Sequence, residues 1–219
     1  MLADLKNYFE EKIKPVIAVL NWAGFTPNKL SAIALALAFT SAFAFYLRLL
    51  EVALFSLIFS AILDALDGPL ARMTGKASRR GDLIDHAFDR FADAAIMAGI
   101  ILGGFTSIEV GLLAFAGTML TSYMGTQAQA LGIGRIYSGL SGRADRITII
   151  SAATFLETIG YSALNFAMLV IGILGVATAV QRFVIIYRLL GEGDVRGIEA
   201  AMGDEENEER KAIARGTGG

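Results

Sequence analysis

Asp64, Asp67, Asp85 and Asp89 stand at helical spacings within an overwhelmingly apolar sequence. Asp64 and Asp67 are three apart and Asp85 and Asp89 four apart, so each pair shares one face of a helix and can be aimed at a common centre. Asp82 and Asp93 extend the second pair into a stripe stepping by three, four and four. Carboxylates crowded in this way repel unless a cation neutralises them, and hard oxygen donors favour Mg2+ or Mn2+, with Ca2+ also open. Ion pairing with Arg72, Lys76, Arg79, Arg80 and Arg90 would also neutralise them. Such pairing does not require Asp64 and Asp67 to share a face just before Gly68 and Ala71, which strip side-chain bulk from the helix.

The elements that must hold these acids follow from composition. A chain of 219 residues that is 55% hydrophobic and 18% charged, with mean hydropathy +0.58, is too apolar for a soluble domain and reads as a membrane protein. There is no cysteine, which excludes disulfides, thiolate ligands and a cysteine nucleophile. The net charge of −2 is uninformative, and no nucleic-acid partner is expected. Apolar stretches run over Leu30 to Leu50, Val52 to Leu70, Leu83 to Gly103, Ile108 to Leu131, Ile147 to Leu156 with its flanks, and Leu164 to Tyr187. Each approaches the roughly 20 residues a helix needs to cross a membrane. Runs this long without alternation exclude barrel strands. The expected fold is all-α: a polytopic membrane protein of six transmembrane helices, preceded by an amphipathic surface helix.

Lysines and arginines set the expected orientation. They precede the first stretch and fill the loops after the second and fourth and the tail, whereas Arg48 stands almost alone on the other side. The positive-inside rule then makes both termini, the aspartate loop and the Arg135 to Arg146 loop cytoplasmic, in the cell membrane. Leu2, Leu5, Phe9, Ile13, Val16 and Leu20 recur at three- and four-residue steps among Lys and Glu. That pattern suits a helix on the membrane surface rather than a signal peptide. Thr26 or Asn28 caps the first span beside Pro27, or the segment is a plain entry turn. The expected division is residues 1–25 as surface helix, 26–190 as the six-helix domain and 191–219 as a charged, mobile cytoplasmic tail.

The order Asp64-x-x-Asp67-Gly68-x-x-Ala71-Arg72, then Gly81-x-x-x-Asp85-x-x-x-Asp89, resembles the signature of the CDP-alcohol phosphatidyltransferase family, with every motif position at the family's spacing. The resemblance implies an enzyme that transfers a phosphatidyl group from a CDP-linked lipid to the hydroxyl of a small alcohol and releases CMP. It makes Asp64, Asp67 and Asp85 metal ligands and Asp89 a ligand and general base. Asp67, Gly68, Ala71, Arg72 and Gly81 would bind the nucleotide, and homodimers are implied as well. Physical chemistry agrees: pyrophosphate approaches an acidic cluster only if divalent ions, here two, lie between them. A glycine lets a nucleotide come close to the helix backbone, and an arginine offers a planar fork to phosphate or a base edge. For Gly68 and Ala71 alone, close helix packing is the other reading. His86, the single histidine, points off the Asp85/Asp89 face and is expected to be a bystander.

A second loop, residues 132–147, sets Arg135, Arg143 and Arg146 among small residues. Such a cluster makes an anion site for an acceptor bearing its own phosphate, or is ordinary positive-inside charge. Arg182, inside the last stretch, requires a partner. The Ser-Gly-Arg-Ala-Asp-Arg run resembles the family branch of phosphatidylinositol phosphate and archaetidylinositol phosphate synthases. That implies inositol 1-phosphate as acceptor, its phosphate held by Arg143, Arg146 and Arg182 with Arg135 behind them. Glycerol 3-phosphate would present nearly the same phosphate. The donor is then CDP-diacylglycerol or CDP-archaeol, its chains lying among membrane lipids. Gly99, Gly103, Gly104, Gly111 and Gly117 offer close-packing surfaces, for a homodimer or within one chain. A cation transporter built on the same aspartates and a membrane pyrophosphate-lipid phosphatase are the competing classes. The first would place its acids near the midplane with repeat symmetry, and no second half mirrors them here.

Overall fold

The structure, a computed structural model, describes residues 13–134, 136, 139 and 142–191. Its described residues form seven helices and no strand: α1 (Ile13–Trp22), α2 (Pro27–Tyr46), α3 (Leu50–Met73), α4 (Arg79–Leu102), α5 (Ile108–Ala130), α6 (Arg143–Thr158) and α7 (Leu164–Gly191). The expected positions Leu2, Leu5 and Phe9, Arg135, and the tail beyond Gly191 lie outside the described residues.

Start signals in the sequence explain the helix boundaries. Thr26 is the N-cap of α2, its side chain accepting from the Lys29 N–H, with Pro27 in the first turn where a missing N–H costs nothing. Ser78 caps α4 and Ser107 caps α5 in the same way. At α6, where the cap residue is Gly142, the Asp145 carboxylate accepts from the Gly142 N–H at 2.8 Å. The first apolar stretch ends earlier than its composition suggests. Helix α2 stops at Tyr46 and Leu50 already opens α3, because Arg48 adopts a left-handed φ of 60°. Its Nε donates to the Gly103 carbonyl at 2.8 Å, so a charge that apolarity alone cannot place becomes the clamp between two turns.

The six long helices pack in a closed order, α2 against α3, α3 against α6, α6 against α7, α7 against α5, α5 against α4 and α4 back against α2. A shared apolar core of Ala38, Phe45, Leu57, Met97, Ile100, Ile150, Met168 and Ile171 fills the ring. Small residues let the backbones close up. A side chain at Gly99 would strike the Ala42 backbone, one at Gly103 the Phe45 carbonyl, and one at Gly117 the Gly172 carbonyl at 2.7 Å. Gly111 packs on Ile101 and Gly104 lies beside the Arg48 guanidinium. All five glycines with two open readings thus serve packing within the chain. Hydroxyls fasten the same contacts: Ser41 donates to the Ala53 carbonyl at 2.8 Å, Ser60 to Ala34 at 2.7 Å and Thr121 to Gly175 at 2.8 Å. Each such bond between membrane helices is worth about 0.6 kcal/mol.

Outward, large apolar side chains such as Phe39, Phe43, Phe55, Phe59, Phe166 and Phe183 are exposed, a surface suited to lipid tails. Helices α2, α5 and α7 are long and apolar enough to cross a membrane; α3, α4 and α6 carry the charged residues of the site apart from Arg182 of α7. Helix α1 buries Ile13 and Ile17 against Leu30 and Leu70, with Leu20 packed beside them. Val16, expected on that face, is exposed along with Val19 and Trp22, because the pair one full turn apart, Ile13 and Ile17, is what meets α2 and α3.

Candidate active site

All the charged residues of interest gather at one end of the ring, where α2, α4 and α6 begin and α3, α5 and α7 end. Asp64 and Asp67 point inward from α3, one helical turn apart, and Asp85 from α4 meets them. One carboxylate oxygen from each of the three lies within 4.8 Å of the others. Asp67 is 7% exposed, and the Ser31 hydroxyl of α2 donates to its Oδ2 at 2.5 Å. Oxygen-only donors at this spacing, two of them half-buried and one buried, fit a hard divalent cation.

Beside the acids is a cavity of about 180 Å3 lined by Pro27, Asn28, Ser31, Asp67, Gly68, Ala71, Arg72, Lys76, Gly81, Asp82 and Asp85. The four motif residues Gly68, Ala71, Arg72 and Gly81 therefore share one wall with two of the acids. A Cβ on Gly68 would lie 3.4 Å from Arg72 Nη1, and one on Gly81 3.3 Å from Ser78 Oγ, so both glycines keep that wall thin. Pro69, inside α3, has no N–H to bond the Ala65 carbonyl. Pro27, Asn28 and Ser31 had not been anticipated at the site. Their signal was faint, a start of helix whose polar residues recur on one side.

On the other side of the acids is a second cavity of about 200 Å3, lined by His86, Asp89, Arg90, Ser122, Thr126, Gln129, Arg143, Arg146 and Arg182 among others. Three of the four expected arginines are in its wall, and Arg135 lies outside the described residues. Arg143 and Arg146 are one turn apart on α6 and so face the same way. The Arg143 guanidinium hydrogen-bonds Asp64 and stands 2.8 Å from Asp89 Oδ1. Arg146 is 4% exposed and donates to Asp93 Oδ2 at 2.7 Å. Arg182 of α7 donates to the Thr121 carbonyl at 2.8 Å, the partner its place within a span requires. The Nε groups of Arg90, Arg143 and Arg146 are buried without a hydrogen-bond partner among the described residues. Donors in that condition are costly unless an anion takes them up.

Two placements add to the expected picture. Asp89 is not in the three-carboxylate group; it lines the basic cavity, 2.8 Å from Arg143. His86 also lines that cavity, with Nδ1 3.4 Å from Asp85 and Nε2 3.7 Å from Asp82, so it is less remote than its position off the acidic face implies. Arg90, expected only as an ion-pair partner of the acids, does stand 3.6 Å from both Asp89 and Asp93, and its place in the cavity wall was not read from the sequence. Sequence reasoning also passed over Ser122, Thr126 and Gln129, although their steps of four and three on an apolar helix were a readable signal.

This pairing of an acidic and a basic cavity in a helical ring can be set beside known proteins. The family model for CDP-alcohol phosphatidyltransferase matches residues 25–131. The archaetidylinositol phosphate synthase of Pyrococcus horikoshii is 34% identical over 83% of this chain and 94% of its own. The chain belongs to the CDP-alcohol phosphatidyltransferase family. It is accordingly a transferase of phospholipid biosynthesis, a membrane enzyme that draws on a CDP-linked lipid. The phosphatidylinositol phosphate synthase of Streptomyces avermitilis is 29% identical over 86% of this chain and 83% of its own. The fold matches that of Mycobacterium tuberculosis phosphatidylinositol phosphate synthase with CDP-DAG bound, at TM-score 0.70 and 23% identity. That match covers 79% of this chain and 92% of the other. A further structure of the same mycobacterial enzyme contains manganese and citrate. A CDP-alcohol phosphatidyltransferase depends on a divalent metal, and the carboxylate group formed by Asp64, Asp67 and Asp85 provides the chemistry to hold one.

Proposed function

We propose that this transferase moves a phosphatidyl or archaetidyl group from CDP-diacylglycerol or CDP-archaeol to the hydroxyl of inositol 1-phosphate, releasing CMP. The observation that carries the reading is the cavity lined by Arg90, Arg143, Arg146 and Arg182 directly beside the acids. Its buried guanidinium donors suit a phosphate on the acceptor itself, and the start of α6 at Gly142 adds a helix N-terminus to the same wall. Neutral Ser122, Thr126 and Gln129 provide hydrogen-bonding groups for a polyol. The names of the curated relatives point the same way.

In this reading Asp64, Asp67 and Asp85 would hold Mg2+ or Mn2+, and two ions would draw in Asp89 as a further ligand. The metal supplies Lewis-acid stabilisation of charge on the pyrophosphate. Gly68, Ala71, Arg72 and Gly81 seat the nucleotide, with Asn28 and Ser31 lining the same cavity. Asp89 stands between the acids and the acceptor cavity, and it takes the proton of the attacking hydroxyl as general base. Its neighbour Arg143 spans Asp64 and Asp89, which keeps the base and a ligand in fixed relation. The acceptor hydroxyl attacks phosphorus, the bond to CMP breaks, and the proton ends on the Asp89 carboxylate.

Six of the helices, α2 to α7, would cross the membrane, with α1 on its surface and the site opening to the cytoplasm together with both termini. A homodimer would use surfaces other than the five glycines already engaged within the chain. The test is CMP release by purified protein with Mg2+ and a CDP-linked lipid, comparing inositol 1-phosphate, glycerol 3-phosphate, free inositol and serine. Dependence on inositol 1-phosphate supports the reading. Dependence on another acceptor keeps the acidic site and overturns the assignment of the arginine cavity.

A further inference from the structure

Asp93 belongs to neither cavity, yet it is among the most buried charges of the site. It is 6% exposed, stands one helical turn beyond Asp89 on α4, and is absent from the residues lining either space. Its carboxylate is surrounded by guanidinium groups. Arg146 Nη2 lies 2.7 Å from Oδ2, Arg90 Nη2 3.6 Å from the same oxygen, and Arg143 Nε 3.7 Å from Oδ1. These three arginines all line the basic cavity. Three cations brought together out of water repel one another and cost desolvation energy, unless an anion lies among them. Asp89, in the cavity wall, already faces Arg143 at 2.8 Å and Arg90 at 3.6 Å. Among the described residues, the carboxylate that Arg146 meets is Asp93, through the shortest ion pair Asp93 makes.

We infer that Asp93 is a positioning residue of the acceptor cavity: from beneath the wall it clamps the Arg146 guanidinium, steadies those of Arg90 and Arg143, and so presents their remaining donors to a phosphorylated acceptor. The inference rests on the phosphate-bearing acceptor proposed above. Its chemistry runs against simple charge counting. Removing a negative charge near an anion site strengthens anion binding if the charge acts only through space. It weakens binding if that charge holds the cation in place, because an arginine freed at one end loses orientation and gains alternative partners.

Full-length protein in lipid bilayer discs, assayed by CMP release, distinguishes these signs. Asp93→Asn preserves shape and removes charge. It is expected to raise the acceptor KM on the order of tenfold to a hundredfold, the size typical for loss of a partner that orients a binding group. The KM for the CDP-lipid should stay put and kcat should change far less. Asp93→Glu, which restores the charge, should recover most of the acceptor KM. In an Arg146→Ala background Asp93→Asn should add little, since its main route of action is already gone.

An acceptor KM that falls or stays constant in Asp93→Asn, or full additivity with Arg146→Ala, overturns the positioning role. Loss of kcat and of both KM values together, with a lowered melting temperature and no rescue by Glu, shows a purely structural ion pair and overturns it too. The wild-type acceptor comparison separates the two failures. If free inositol serves as well as inositol 1-phosphate, the acceptor reading and this inference fall together. If phosphate is required but the variants behave additively, the assignment of Asp93 falls alone.

Discussion

The two cavities at the end of the helical ring are similar in size, about 180 and 200 Å3, and opposite in character. The first is walled by Asp67, Asp82 and Asp85 with Arg72, Lys76, glycine, alanine and a few polar groups; the second is walled by four arginines with Asp89, His86 and neutral hydrogen-bonding side chains. Asp89 and Arg143 stand at the partition, with Arg143 bonded to Asp64 on one side and close to Asp89 on the other. The difference teaches how one bundle can bring together two anionic reactants. A nucleotide pyrophosphate is met by acids that need an intervening cation, and the acceptor phosphate is met by fixed cations directly. An excess of carboxylate in the one and of guanidinium in the other leaves each cavity with charge to offer its reactant.

That division of labour can be broken at graded points. The largest effect is expected at the partition. Asp89→Asn should lower kcat by about 10³-fold, within the range ascribed to general acid–base groups. Binding of CDP-lipid, followed by fluorescence or calorimetry, should remain nearly intact. Near-normal turnover would remove Asp89 from the chemistry. Next, Asp67→Asn should cost on the order of 10²-fold in activity, a typical loss for a charge-stabilising group. Its signature is a raised metal requirement together with weaker CDP-lipid binding, seen in Mn2+ titrations. If only the acceptor KM moved, the acidic cavity would have been assigned to the wrong substrate.

Arg146→Ala tests the other cavity. Removing one member of a buried charge pair costs about 2 kcal/mol or more, read here as a rise of at least about thirtyfold in the acceptor KM. The KM for CDP-lipid should hold steady, and comparable changes in both would erase the separation of the cavities. The smallest effect is expected at Ser31→Ala, which removes the hydroxyl bonded to Asp67 and so about 1 kcal/mol. Apparent metal affinity should drop severalfold with no change at the acceptor. A loss as large as that of Asp67→Asn would make Ser31 a substrate contact rather than a support.

The same contrast explains what could be read from the chain and what could not. Residues lining the acidic cavity run from Pro27 to Asp85, and its key members sit within a helix–turn–helix segment. Spacing of three and four fixes which residues of one helix share a face, so the pairs Asp64/Asp67 and Asp85/Asp89 were legible before any packing was known, whereas the meeting of Asp64, Asp67 and Asp85 came from the tertiary arrangement of α3 and α4. Those lining the basic cavity run from His86 to Arg182 and come from α4, α5, α6 and α7. Positive-inside charge and an anion site look alike along the chain, and Arg90 was indistinguishable from a local partner of the acids. Helix ends were less legible: Arg48 closes α2 early through a carbonyl in a different loop, a contact that local apolarity does not encode.

By itself the sequence determined that the chain is a helical membrane protein with an acidic metal-type motif, because hydropathy, helical period and motif spacing are local properties that survive any arrangement of the helices. Only the tertiary structure decided which charge meets which. Arg143 bonds Asp64, Arg146 is held by Asp93, and Asp89 stands beside Arg143 at the edge of the three-carboxylate group. It also settled the packing glycines on partners within the chain. Ion pairs and close backbone contacts across 50 or more residues depend on which helices are neighbours in the ring. No helical period carries that information, because it arises from burying the whole core at once.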